Sequence, residues 1–149
     1  MTVALRITLQ DSEIRQLSVR LAQFGDQAVN DALAELGESV RTMAIDSFES
    51  STSPEGTAWQ PSERALLTGG KTLIDTGDLQ NSISVNMGFG EVEVGSNMVY
   101  AAIHQLGGKA GRNKSVPLPA RPFLPDVKGN LLQREAMEVF QAHLKRALS

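Results

Sequence analysis

Cysteine is absent from the 149-residue chain, and histidine, tryptophan and tyrosine are scarce, at two, one and one. Without cysteine there is no disulfide framework, no thiolate nucleophile and no Cys-based metal site, which fits a reducing compartment. Long apolar runs are missing too. Nothing approaches the roughly 18 consecutive apolar residues that a membrane-spanning helix needs. The first residues, "MTVALRITLQ", carry no basic leader and alternate in polarity, so they do not read as a signal peptide. The expectation is a soluble chain made in the cytoplasm, with no membrane partner. An excess of positive charge is also lacking. Fourteen Lys and Arg against 17 Asp and Glu give a net charge of −3, with a pI near 5.4. A dedicated nucleic-acid-binding domain is expected above about 9.

The familiar catalytic signatures are missing as well. There is no GxSxG elbow and no SxxK pair, and no histidine spacing of the HxxxH or HExxH kind. "LTGGKT" (67–72) has the end of a phosphate-binding loop, but Ala65 stands where the first glycine is required. The two histidines, His104 and His143, are far apart in sequence. A carboxylate partner for His104 would have to come from a distant position such as Asp75 or Asp126. The preferred reading of His104 is a polar residue that hydrogen-bonds backbone near a helix end. No catalytic residue, metal or cofactor is expected.

What the chain does have is a patterned core. Hydrophobic residues make up 41%, and one domain over residues 1–149 buries roughly two thirds of its unfolded surface. Val3, Leu5, Ile7 and Leu9 alternate with Ala4, Arg6 and Thr8, which predicts a strand with one buried face. Asp11 or Ser12 then caps a helix. Ile14, Leu17, Leu21 and Phe24 recur at helical spacing, as do Ala28, Ala32, Leu36, Val40, Met43 and Phe48. Two helices over 11–24 and 27–50, or one helix kinked at Gly25, fit this pattern. The second would be about 36 Å long at 1.5 Å per residue.

Residues 51–72 read as a long loop, in which Trp59 anchors an otherwise polar segment to the core. Asp75 or Thr76 caps a short helical turn near Gly77–Gln80. A hairpin follows, with Ile83, Val85 and Met87 in one arm and Val92 and Val94 in the other, turning at Gly88–Gly90. Glu91 and Glu93 lie on its solvated face. "YAAIHQLGG" (100–108) is a short helix or turn ending at Gly107, with Tyr100 and Ile103 packing. A second loop spans 107–119, "ARPFLP" is extended, and a last helix runs from Asp126 toward Leu148. Its apolar face is Leu132, Ala136, Val139 or Phe140, Leu144 and Leu148. The fold class is α+β: long N-terminal helices and a C-terminal helix on a small mixed or antiparallel sheet, with two long loops.

The second loop is locally basic. Lys109, Arg112, Lys114 and Arg121 fall in a stretch without a carboxylate between Glu93 and Asp126. Three readings stand side by side: a solvated loop, an arm that docks on a partner, and a contact to nucleic-acid phosphates. No aromatic residue lies between 101 and 122, so base stacking is not indicated. Gly107 and Gly108 read as the hinge that frees the arm, and alanine there is expected to spare folding.

Four motifs recur in a fixed order: "SPEGTAW" (53–59), "LIDTGDLQNSI" (73–83), "VGSNMVYAAIHQLGG" (94–108) and "PARPFLP" (119–125). Together they resemble the virion morphogenesis, or tail completion, family of tailed bacteriophages and prophages, which includes Mu-type G and P2-type S proteins. The resemblance spans essentially the whole chain. It implies a non-enzymatic structural protein of the neck, a homo-oligomer, commonly a six-fold ring around the DNA channel. Its role would be that of a stopper, tail terminator or tail completion protein. Portal, adaptor or stopper proteins would lie on its head side and tail tube or terminator proteins on its tail side. The DNA would pass without sequence-specific binding. The implied location is the virion, after assembly in the host cytoplasm. The matching positions are Gly56, Trp59, Asp75, Thr76, Gly77, Leu79, Ile83, Tyr100, Ala101, His104, Gly107, Gly108, Pro119, Arg121, Pro122 and Phe123. The family pattern has a basic residue after its DTG triplet. Here that position is Asp78, so any contact relatives make there is not carried over.

Overall fold

Alternating polarity in the first strand and heptad-like spacing in the helices fix the layers. A computed structural model describes residues 2–8 and 12–149; the expected cap at Asp11 and the strand residue Leu9 lie outside the described residues. Strand β1 (Val3–Thr8) precedes α1 (Ser12–Ala22) and α2 (Asp26–Ser50). Gly25 adopts φ +105° between them, so this is a break and not a kink. Phe24 falls in the break, after the end of α1, and is half exposed, not part of the apolar face.

The hairpin forms, but Ile83 lies just before its first strand and Gly88 pairs with Glu91 inside it, which leaves Phe89 and Gly90 as the turn. Strands β2 (Ser84–Gly88) and β3 (Glu91–Ser96) pair in antiparallel fashion, and β1 adds to the far side of β3. The register sets Leu5 and Val85 beside Val94, and Ile7 and Met87 beside Val92. This leaves Arg6, Glu91 and Glu93 on the opposite face. Arg6 lies 3.3 Å from Glu93 and 3.8 Å from Glu91. Such exposed pairs contribute at most about 1 kcal/mol.

Helix α2 covers the apolar face of the sheet. Leu33, Leu36, Val40, Ala44 and Phe48 are fully buried, and α6 (Asn130–Leu148) adds Leu132, Ala136, Val139, Phe140 and Leu144 to the same core. Each large side chain buried here contributes roughly 1.5–3 kcal/mol. The helix and sheet approach closely because residue 37 is glycine: a Cβ there would lie 2.6 Å from Val92 Cγ2 and 2.7 Å from Val85 Cγ1. Glycine inside a helix costs about 1 kcal/mol, so this close contact is what the position is for.

Three expectations are corrected. Residues 51–72 are not all loop, because α3 (Glu63–Thr68) forms within them. Ser62 Oγ accepts from Ala65 N at 3.1 Å and Gly69 closes the helix at φ +73°, a start and stop pair. Residues 107–119 are likewise a hairpin, β4 (Gly108–Ala110) on β5 (Val116–Leu118), with a 3₁₀ turn at Arg112–Lys114. The last helix begins at Asn130, not Asp126. Asp126 closes a turn by accepting from Lys128 N and Gly129 N, and Gly129 becomes the cap. Leu148, at its far end, is exposed.

Candidate functional site

The four motifs meet around a short extended strap, residues 119–125. Trp59 is buried and its indole N–H donates to Pro122 O at 2.9 Å. Phe48 stacks edge-on against Trp59 at 5.8 Å and lies 5.2 Å from Phe123. These contacts bolt the first loop and the strap to the middle of the core, as the anchor reading of Trp59 predicted.

Helix α5 (Ala101–Leu106) holds the strap from the other side. Arg121 N donates to His104 O at 2.7 Å. Gln105 Oε1 accepts from Phe123 N at 3.0 Å and Leu124 N at 3.1 Å, and Gln105 Nε2 donates to Leu124 O. One side-chain amide thus stands in for a neighbouring strand. Gln105 escaped the sequence reading, because a lone Gln in a short helix carries no signature. Arg121 corrects an expectation too. It is 5% exposed, and its Nε donates to Gln60 O at 2.7 Å. It braces the strap and is not part of the exposed basic surface.

The DTG segment forms the facing wall. Gly77 takes φ +84° ahead of α4 (Asp78–Asn81), and Leu79 is buried beneath it. Thr76 Oγ1 accepts from Asp78 N at 3.3 Å, whereas Asp75 does not cap. Asp75 is exposed and lies 4.0 Å from Arg64 Nη1. A cavity of about 370 Å³ separates the walls, and Asp75, Thr76, Gly77, Leu79, Tyr100, His104 and Arg121 all line it. Of the residues singled out by motif, Trp59 and Phe123 lie in the core and outside that lining, Gly107 and Gly108 stand at the base of β4, and Lys109, Arg112 and Lys114 lie out on the arm.

His104 differs from the expectation in an informative way. Its carbonyl, not its ring, makes the backbone hydrogen bond. Ring atom Nδ1 is buried and has no hydrogen-bond partner among the described residues. The Tyr100 ring meets it edge-on at 6.0 Å. Burial first, and then the charge of Arg121, hold its pKa below the ordinary 6.5. The ring is therefore neutral at pH 7. Asp75 and Asp78 share the cavity, Asp75 paired with Arg64, and no carboxylate among the described residues accepts from the buried Nδ1, as the orienting partner of a catalytic base would. Asp126 lies elsewhere, beside Glu55. His143 bonds to Glu35 at 2.6 Å, on the α2–α6 surface. Among the described residues no three His, Cys, Asp or Glu side chains group as metal ligands.

The glycine pair behaves unequally. Gly107 has φ +74° and ψ 176°, and a Cβ there would lie 2.8 Å from Ala120 N and 3.1 Å from Leu118 O. Gly107 is a packed closure between α5 and the strap, not a free hinge. At Gly108 the nearest atom to such a Cβ is Ile103 Cγ1, at 3.6 Å.

A fold of this layout, with a bolted strap, a motif-lined cleft and a projecting basic hairpin, defines a small α+β protein built around its loops. The model of the phage virion morphogenesis family matches residues 9–148, and the chain belongs to that family. Its role lies in phage virion morphogenesis. The chain is similar to Mu-like prophage FluMu G protein 2 of Haemophilus influenzae, 44% identical over 79 residues. That alignment covers 51% of this chain and spans only 56% of the relative's length. No solved structure matches. No helix among the described residues is long and apolar enough to cross a membrane.

Proposed function

We propose that the protein is a structural component of the phage neck that completes the head–tail interface as a hexameric ring around the DNA channel. It acts as a stopper, tail terminator or tail completion protein. Its head-side neighbours are portal, adaptor or stopper proteins, and its tail-side neighbours are tail tube or terminator proteins. DNA passes through the ring without sequence-specific contact. The role is structural and non-enzymatic, and it is supported by membership of a virion morphogenesis family.

The observation that carries this reading, beside the family, is the arm. Residues 108–118 form an ordered hairpin in which Lys109, Arg112 and Lys114 are exposed and none is ion-paired to the described residues. A short projecting hairpin with three cations unpaired among the described residues is suited to contacts outside its own chain. Removing the gene from the phage should yield full heads and finished tails that fail to join. Normal joined particles would refute the proposal.

A second reading, nucleic-acid binding through residues 109–121, has lost one of its four cations to the buried Arg121. Three phosphate contacts give a salt slope of only about −2.7. Retention of duplex DNA on a filter at low salt, lost on Lys109→Glu with Arg112→Glu, would favour that second reading.

A further inference from the structure

The arm needs an acceptor, and the molecule carries a surface of matching chemistry. Between the 53–59 segment and the strap lies a groove of about 580 Å³. Its walls include Ala58, Leu106, Ala120 and Pro122, with Glu55 and Asp126 at its edge. No lysine, arginine or histidine lines it. Leu106 is 73% exposed although it ends a helix that packs inward at Ala101. Glu55 accepts a hydrogen bond from Asp126 N, and neither carboxylate is ion-paired among the described residues.

The arm is the complement of this groove. It offers Lys109, Arg112 and Lys114, no carboxylate, and Val116 at 50% exposure. Its tip holds Asn113 and Lys114 at φ +59° and +51°. Left-handed backbone at a lysine costs of order 1 kcal/mol, so the tip keeps a cation where glycine would be easier. The strand part of the arm, Gly108–Ala110, extends about 10 Å at 3.3 Å per residue, and the 3₁₀ turn at Arg112–Lys114 carries two of the cations at its end. Donor and acceptor are different patches of one surface, which is the requirement for a head-to-tail contact that closes into a cycle.

We propose that the β4–β5 arm of one copy seats in the Leu106 groove of the next copy, with Val116 against Leu106 and the arm's cations facing Glu55 and Asp126. This rests on the ring reading and names the surfaces it uses. The chain has no cysteine, so introduced thiols report cleanly. Val116→Cys and Leu106→Cys proteins, each otherwise full length, are mixed at high concentration and low salt and oxidised. A disulfide-linked dimer is expected from the mixture. None above background is expected when Val116→Cys is mixed with Val19→Cys, whose thiol sits on the exposed face of α1. Adding Lys109→Glu and Arg112→Glu should lower the yield on the order of tenfold, and Glu55→Lys with Asp126→Lys in the partner should restore it. Copies that associate in sedimentation but do not link through 116 and 106 would overturn the acceptor while leaving a ring intact. A protein that neither links nor associates at any concentration would overturn the copy-to-copy contact, with the head–tail role judged separately by the gene-removal experiment. Loss of linkage with simultaneous gain of arm-dependent DNA retention would assign the arm to phosphates instead.

Discussion

Substituting Gly107 by alanine asks whether the strap is clamped to α5 or swings from it. Two costs add. The backbone at φ +74° and ψ 176° is a region open essentially to glycine alone, and a side chain there costs of order 1–3 kcal/mol. The new Cβ would also lie 2.8 Å from Ala120 N, against backbone that is held in turn by Arg121 N–His104 O. Such overpacking costs a further ~1–3 kcal/mol. Gly107→Ala should therefore destabilise the fold by about 3–4 kcal/mol, lowering Tm by roughly 10 °C for a chain of this size. Gly108→Ala meets only Ile103 at 3.6 Å and should lose about 1 kcal/mol of stability to backbone strain. Urea unfolding followed by the fluorescence of Trp59, which is itself bonded to the strap, measures both. A Gly107→Ala protein within ~0.5 kcal/mol of the parent, or equal to Gly108→Ala, would refute the clamp and restore the free hinge.

Other outcomes follow from the same contacts. Trp59→Phe leaves the half-buried Pro122 O without its donor and should cost about 1 kcal/mol by circular dichroism melting, the net worth of a typical hydrogen bond. Gly37→Ala should cost about 2 kcal/mol by overpacking against both Val92 and Val85; a loss under ~0.5 kcal/mol in urea unfolding would mean that the close approach does not matter. The depressed pKa of His104 predicts a pH effect. The unfolded chain takes up a proton as pH falls through 6.5 while the folded ring stays neutral, so stability declines from about pH 7 downward until the folded pKa is reached. His104→Gln should flatten the stability profile as pH falls through the ordinary histidine value of 6.5; an unchanged slope would show the ring is not held neutral.

Much of this was legible in the residues, for reasons that can be stated. The strand, the two long helices and the central hairpin follow from burial on one face, which imposes period two or 3.6 over many residues. Trp59 was legible because a large apolar ring in a polar segment has to go somewhere. The β4–β5 hairpin was not, since three-residue strands containing Pro117 show no alternation. Arg121 misled because charge predicts exposure unless a carbonyl such as Gln60 O waits inside, and only the fold brings residue 60 to residue 121. Asp75 looked like a cap for the same local reason that Thr76 proved to be the nearer acceptor. The cleft itself could not be read, since its walls are some 25–45 residues apart and meet only when the strap is bolted to Trp59 and Gln105.

The central claim is that this chain sits at the head–tail junction. Gold-labelled antibody against the protein, applied to intact particles and to heads and tails separated from them, tests it most directly. The account predicts label confined to the neck of joined particles and to the joining end of a separated head or tail. Label spread over the capsid shell, or at the distal tip of the tail, would contradict it.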